Sequence, residues 1–272
     1  MRTPALGIGL GYRRSMHGPI LASAAEIDWL EIFTDDYLQD KGELDQLKEK
    51  FVLVPHGVKM SIGSDSPLDL AYVEAVARLA DFVDAPWVSD HLCYTKEGET
   101  DIGNLTPMLR TRQKARTVAA RAQAVQDRLG RPFILENIAY YMELPGDLTE
   151  AQFITEVLEG CDCGLLLDLA NVSLNARNHG FDAETFLASL PLERVVHVHL
   201  ADTAPDSRSE GVSFDSHDAP VGKDVFDLLR LLVRHHLPSG TMIERDDRFP
   251  DDFEEILADL RTARQIVEGA ST

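Results

Sequence analysis

GLLLDLAN, residues 164–171, reads as a buried β-strand that ends in a carboxylate. Gly164–Leu167 is a short apolar run of the kind found inside parallel sheets. Asp168 follows at its C-terminal end, with Asn171 three residues further on. The same pattern recurs along the chain. Runs bounded by Gly, Pro or Asp fall at Ala5–Leu10, Trp29–Phe33, Phe51–Val54, Trp87–Ser89, Phe133–Leu135, Val195–Leu200 and Thr241–Ile243. Between most of them lie segments with helical spacing. These are Pro67–Val83 behind a Ser66-Pro67 start, Thr106–Leu129 behind Thr-Pro, Thr149–Leu158, Asp224–His236 and Asp252–Val267. Eight strands alternating with helices predict an α/β fold, a (β/α)8 TIM barrel, over a single domain of residues 1–272. A doubly wound open sheet is the competing arrangement.

Composition narrows the chemistry. The 272 residues carry 26 Lys+Arg against 46 Asp+Glu, a net charge of −20. That argues against gripping nucleic acid, which needs a basic face. Three cysteines are too few for a disulfide framework, and Cys161 and Cys163 lack C-x-x-C spacing, so a reducing cytoplasm is the expected setting. No apolar run reaches the roughly 18–20 residues of a membrane helix, and the first ten residues lack a signal-peptide core.

The ionisable residues sit where the strands end. His56 follows the third strand, Asp90 and His91 the fourth, Glu136 and Asn137 the fifth, and Asp168 the sixth. His197 and His199 end the seventh strand, with Asp202 just beyond, and Glu244 follows the eighth. Asp215 and His217 lie in the long loop after the seventh. In a barrel these ends converge on one face, where active sites are built. A single His or Asp at such a place is usually a cap or a turn residue. Six polar ends out of eight point to a shared task. Imidazoles and carboxylates without a cysteine form an N/O donor set that suits Fe, Mn or Zn. His56, His91, Glu136, Asp168, Asn171, His199, Asp215, His217 and Glu244 are too many donors for one ion. Two or three metals with bridging carboxylates are expected. His17, His179, His235 and His236 fall outside the pattern, and Cys93 reads as packing.

Several pieces together carry a resemblance. They are G-I-G-L-G at 7–11, D-W-L-E-I at 28–32, P-H-G-V at 55–58, S-D-H-L at 89–92, L-E-N at 135–137 and Y-Y at 140–141. They continue with L-L-L-D-L-A-N-V at 165–172, N-A-R-N-H-G-F-D at 175–182, H-L-A at 199–201, D-S-H-D-A-P-V at 215–221 and I-E-R-D at 243–246. In this order they resemble the multinuclear non-haem iron-dependent oxidases, a branch of the xylose-isomerase-like metal barrels. The resemblance implies two to three iron ions cycling between Fe(II) and Fe(III), O2 as co-substrate, and oxidation of a residue, often Cys, of a ribosomally made precursor peptide. It also implies a small partner protein that recognises the leader of that peptide.

By the resemblance, His56, His91 and Glu136 hold one iron. Glu136 bridges to a second, held with Asp168, His199 and Glu244. Asn171, Asp215 and His217 hold a third. Glu136, Asp168, His199 and Asp202 are expected at the reacting centre. Asp90, Asn137 and Asp246 are expected to orient the imidazoles by hydrogen bonding. Where that family commonly reads H-L-A-G-H, this chain has His199-Leu200-Ala201-Asp202-Thr203, and His197 is an added imidazole. The bare donor spacing is also similar to the trinuclear zinc endonuclease IV enzymes, which usually have His at the place of Asn171. A divalent-metal sugar isomerase or epimerase on the same barrel, using Glu136 and Glu244, is a further alternative.

Overall fold

The structure, a computed structural model, describes residues 3–204 and 211–270. Ten strands and ten α-helices are formed among them. The strands are β1 (Gly7–Gly11), β2 (Trp29–Phe33), β3 (Val52–Gly57), β4 (Val88–His91), β5 (Tyr94–Glu97), β6 (Thr100–Thr106), β7 (Phe133–Glu136), β8 (Gly164–Asp168), β9 (Val195–Leu200) and β10 (Gly240–Ile243). The helices are α1 (His17–Ala22), α2 (Thr34–Tyr37), α3 (Leu44–Lys48), α4 (Leu70–Phe82), α5 (Arg112–Leu129), α6 (Glu150–Glu159), α7 (Leu169–His179), α8 (Ala183–Ala188), α9 (Lys223–Val233) and α10 (Glu254–Ala270). Eight strands close a parallel barrel in the order β1-β10-β9-β8-β7-β4-β3-β2, which settles the choice against an open sheet. All eight coincide with the strands expected from the sequence. No described helix is long and apolar enough to cross a membrane.

The remaining strands, β5 and β6, form an antiparallel hairpin outside the barrel. It displaces the expected start of the following helix. Thr106 ends β6, and α5 opens instead behind Thr111, whose side chain accepts from the Lys114 N–H. Likewise α4 starts behind Asp69 rather than at Pro67, because the Asp69 carboxylate caps the Tyr72 N–H. Thr149 caps α6 as expected, in a reciprocal box with Gln152.

What positions the site is the period of two along each barrel strand. Trp29, Val54, Trp87, Ile134, Leu166 and Met242 plug the barrel interior. Two residues further along each strand stand Glu31, His56, Ser89, Glu136, Asp168 and Glu244, all buried. His197 and His199 repeat the step on β9. The plug is tight: a Cβ on Gly9 would lie 2.4 Å from the Trp29 ring, so only glycine lets that indole fill the barrel floor. An apolar floor below and a ring of donors above are therefore one pattern, read off by register.

Candidate metal centre

Strand pairing sets the donors side by side. His91 is in register with Glu136, and Asp168 with His199. Four three-residue groups result in which the donor atoms of each lie within 4.8 Å of one another: His56/His91/Glu136, Glu136/Asp168/His199, Asp168/His217/Glu244 and Glu31/His197/His199. Glu136 joins the first two and Asp168 the second and third. The Glu136 Oε2 lies 3.2 Å from His56 Nε2 and 3.3 Å from His91 Nε2. His199 Nδ1 lies 3.4 Å from Glu136 Oε1 and 3.0 Å from Glu244 Oε2. His217 reaches Glu244 Oε2 at 3.1 Å and Asp168 Oδ2 at 3.7 Å.

These distances are short, yet many of the atoms make no hydrogen bond. Glu136 Oε2, Asp168 Oδ2, Asn171 Oδ1, His199 Nδ1 and both ring nitrogens of His217 are buried without one. Leaving such groups unpaired costs about 1–3 kcal/mol each. Donors aimed at a common point about 2 Å away, and thus about 3 Å from each other, are what a metal ion requires. The residues present therefore fit a polynuclear centre.

Each donor is held from behind. Ser89 Oγ sits 2.9 Å from His56 Nδ1, and the Gly57 carbonyl 3.0 Å from His91 Nδ1. Those contacts leave both Nε2 atoms facing Glu136. Gly57 is also required for space, since a Cβ there would meet Asp90 Oδ2 at 2.4 Å. Asp168 is divided between two tasks. Its Oδ1 accepts from the Asn171 N–H at 2.7 Å and caps α7, while Oδ2 faces the centre. His217 takes a left-handed backbone, φ 44°, uncommon for a non-glycine residue, and its carbonyl accepts from the Asp246 N–H.

The residues expected to orient imidazoles act mainly on backbone and on Arg13. Asp90 accepts from the Met60 and His91 N–H groups at 3.1 and 2.8 Å. The Asn137 carboxamide bonds both the N–H and the C=O of Asp168, at 2.9 and 3.0 Å, while the Asn137 carbonyl takes the Asn171 side chain. Asp246 pairs with Arg13, although its second oxygen lies 3.5 Å from His217 Nδ1. Asp215 lies at the rim, 2.7 Å from His217 Nε2, and belongs to none of the three-residue groups. Asp202 stands apart from the cluster. Its carboxylate takes the Thr203 N–H at 2.7 Å and lies 3.9 Å from Arg177. The histidines set aside are engaged elsewhere: His17 with the Tyr12 hydroxyl, His179 with the Tyr140 carbonyl and His236 with the Val195 carbonyl.

Two members of the site were not anticipated from the sequence. Glu31 is buried on β2, 3.1 Å from His199 Nε2. Its signal was a lone carboxylate inside the apolar run Trp29–Phe33. Arg13, just past β1, bonds Glu244 at 3.2 Å and Asp246, and lies 3.9 Å above the Phe33 ring.

Burial and proximity bias the protonation states. Burial drives His56 and His197 well below the usual imidazole range, so both are neutral. Burial opposes charge on His199 and His217 too. There Glu31 and Glu244, and Asp215 and Glu244, outweigh it and raise both well above that range. Burial raises Asp168 to about 8 and Glu31 to about 7. The metal-free centre therefore stores protons that an arriving cation must displace.

Comparisons with known proteins give the family and the fold. A UPF0276 protein of Rhizorhabdus wittichii is 35% identical over 264 residues, covering 95% of this chain and 94% of that one. Among solved structures, the TTHB071 protein from Thermus thermophilus, soaked with ZnCl2, superposes with a TM-score of 0.60 at 19% identity, covering 96% and 98% of the two chains. Endonuclease IV from the same organism gives 0.59 at 16% identity, covering 97% and 99%. These two show the shared barrel, with xylose isomerase domain proteins among the same neighbours. The family model of the RiPP precursor modification enzyme MbnB/TglH/ChrH matches residues 7–268. With its ring of buried N/O donors on a (β/α)8 barrel, this chain belongs to the MbnB/TglH/ChrH family of RiPP precursor modification enzymes.

Proposed function

We propose that this chain is a multinuclear iron-dependent oxidase that uses O2 to modify a residue, often Cys, of a ribosomally made precursor peptide. The observation that carries the reading is the confluence of three donor groups sharing Glu136 and Asp168, with Glu136 Oε2, Asp168 Oδ2, His199 Nδ1 and both His217 nitrogens left without hydrogen bonds. His56, His91 and Glu136 would hold one ion. Glu136, Asp168 and His199 would hold the second. Asp168, His217 and Glu244, with the Asn171 side-chain oxygen, would hold the third. Iron bound there supplies O2 activation and an open position for a substrate thiolate or carboxylate.

The chain's own residues do the rest. Glu136, Asp168 and Glu244 offset the cation charge. Ser89 and the Gly57 carbonyl fix the imidazoles of His56 and His91. Arg13 holds Glu244 and Asp246 in place at one side of the mouth. Tyr141 and Phe214, with ring centroids 5.2 Å apart and both exposed, form an apolar lip beside Asp215 that suits a peptide side chain. A small leader-recognising protein is part of the proposal, and the net charge of −20 suits a basic partner.

Elemental analysis of the purified chain tests the metal reading. Two to three iron equivalents per chain support it, as does an O2-dependent mass change on the precursor peptide encoded beside its gene. Zinc alone, with cleavage of abasic DNA, would replace it by the phosphodiesterase chemistry of the endonuclease IV type. Modification of the peptide by this chain without any helper would remove the partner.

A further inference from the structure

One carboxylate in the barrel lies outside the ligand set just assigned. Glu31 projects from the middle of β2 into the interior, 1% exposed, beside His199 and one step above Trp29 on its strand. Its Oε2 hydrogen-bonds His199 Nε2 at 3.1 Å and lies 3.7 Å from His197 Nδ1, while Oε1 has no hydrogen-bond partner. Below it, His197 packs edge-on against Trp29 and stands beside Trp87, with ring centroids at 4.9 and 5.9 Å. That floor closes the barrel from beneath, and among the described residues the side chain that hydrogen-bonds the Glu31 carboxylate is His199.

His199 has two faces with different tasks. Nε2 points down to Glu31, and Nδ1 points up to Glu244, Glu136 and Asp168 at 3.0, 3.4 and 3.9 Å. A neutral imidazole has a single N–H. Spending it on a buried carboxylate leaves the lone pair on the other nitrogen and makes that nitrogen a stronger donor. Resting on the metal reading above, we infer that Glu31 is a positioning residue that fixes His199 as an Nδ1 ligand of the centre, with Nε2–H donated downward. The same reasoning gives His197 no ligand task. It is a spacer between Glu31 and the tryptophan floor.

The fourth donor group, Glu31/His197/His199, has a rival use as an ion site of its own. Three variants separate the two: Glu31→Gln, whose amide oxygen still accepts the Nε2–H; Glu31→Met, which cannot; and His197→Phe. The metal-free full-length chain and each variant are titrated with Zn(II) and with Mn(II) against a competing chelator. Ring tautomers are read from 15N-histidine NMR of the zinc form. Glu31→Met is expected to weaken one ion by about 10–100-fold, and Glu31→Gln to recover most of that loss. His199 is expected to show a protonated Nε2 and a metal-bound Nδ1, and His197→Phe to bind as many ions as wild type.

Wild-type affinity in Glu31→Met overturns the inference. So does zinc on Nε2 of His199, or one ion fewer in His197→Phe. If Glu31→Met does not fold, Glu31→Gln and the tautomer measurement decide alone. A wild-type chain that binds no metal refutes the proposed function itself, a result distinct from any of these.

Discussion

Asn137 offers the cleanest way to ask whether the centre is held by geometry. Its carboxamide extends the β7–β8 ladder by one rung beyond the last paired residues, accepting from the Asp168 N–H and donating to the Asp168 carbonyl. Asn137→Ala leaves a buried N–H without an acceptor, which costs about 1–3 kcal/mol, and removes a second hydrogen bond worth about 1 kcal/mol. The sum is about 3 kcal/mol. At roughly 3 °C per kcal/mol for a chain of this size, the metal-free protein should melt about 9 °C lower. Because Asp168 lies in two donor groups, Asn137→Ala should also lose metal in parallel. Calorimetry with chelator present and elemental analysis without it measure the two effects. A drop below about 2 °C, or a large drop with full metal content, would show that Asp168 is positioned by something else.

Three more outcomes are expected. Glu136 serves two donor groups and His217 one, so Glu136→Ala should lose more metal per chain than His217→Ala; equal losses in elemental analysis would contradict the bridging role. Metal binding should weaken as pH falls below about 8, because protons on Asp168, His199 and His217 compete with the cation. If two protons are displaced, affinity changes by about 100-fold per pH unit, and Zn(II) titration heats should differ between buffers of unlike ionisation enthalpy. Glu43 bonds its own backbone N–H and receives the hydroxyls of Tyr37 and Tyr12 and the Arg14 guanidinium, and despite burial these bonds hold it down to about 2. A folded-state value below the unfolded one stabilises the fold above about pH 4.5, and that contribution fades as pH falls toward about 2. The melting gap between wild type and Glu43→Gln should therefore narrow from pH 5 to pH 3, and a constant gap would refute the assignment.

The barrel was legible because parallel strands buried on both faces are written as uninterrupted apolar runs, and a polar residue marks where each run leaves the core. Asp168 shows that capping and facing the donor cluster are compatible: Oδ1 caps α7, and Oδ2 is buried without a hydrogen bond. Glu31 was hidden for the complementary reason. It lies inside a run instead of at its end, and only closure of the barrel reveals that its side chain shares a layer with His199. The β5–β6 hairpin was missed because its strands are largely exposed and polar, without the apolar run that marks a barrel strand. Asp202, three residues past His199, takes the Thr203 N–H and lies 3.9 Å from Arg177, and it belongs to none of the three-residue donor groups.

The seam of the barrel has a consequence for how the enzyme comes into being. β1 pairs with β10, and that pairing brings Arg13, beside the first barrel strand, onto Glu244 and Asp246, just past the last. During translation the ribosome has released every other donor before β10 leaves the exit tunnel. A nascent chain therefore has no complete centre until the whole barrel has been made. Such an order keeps the full donor set from closing on an unfinished barrel.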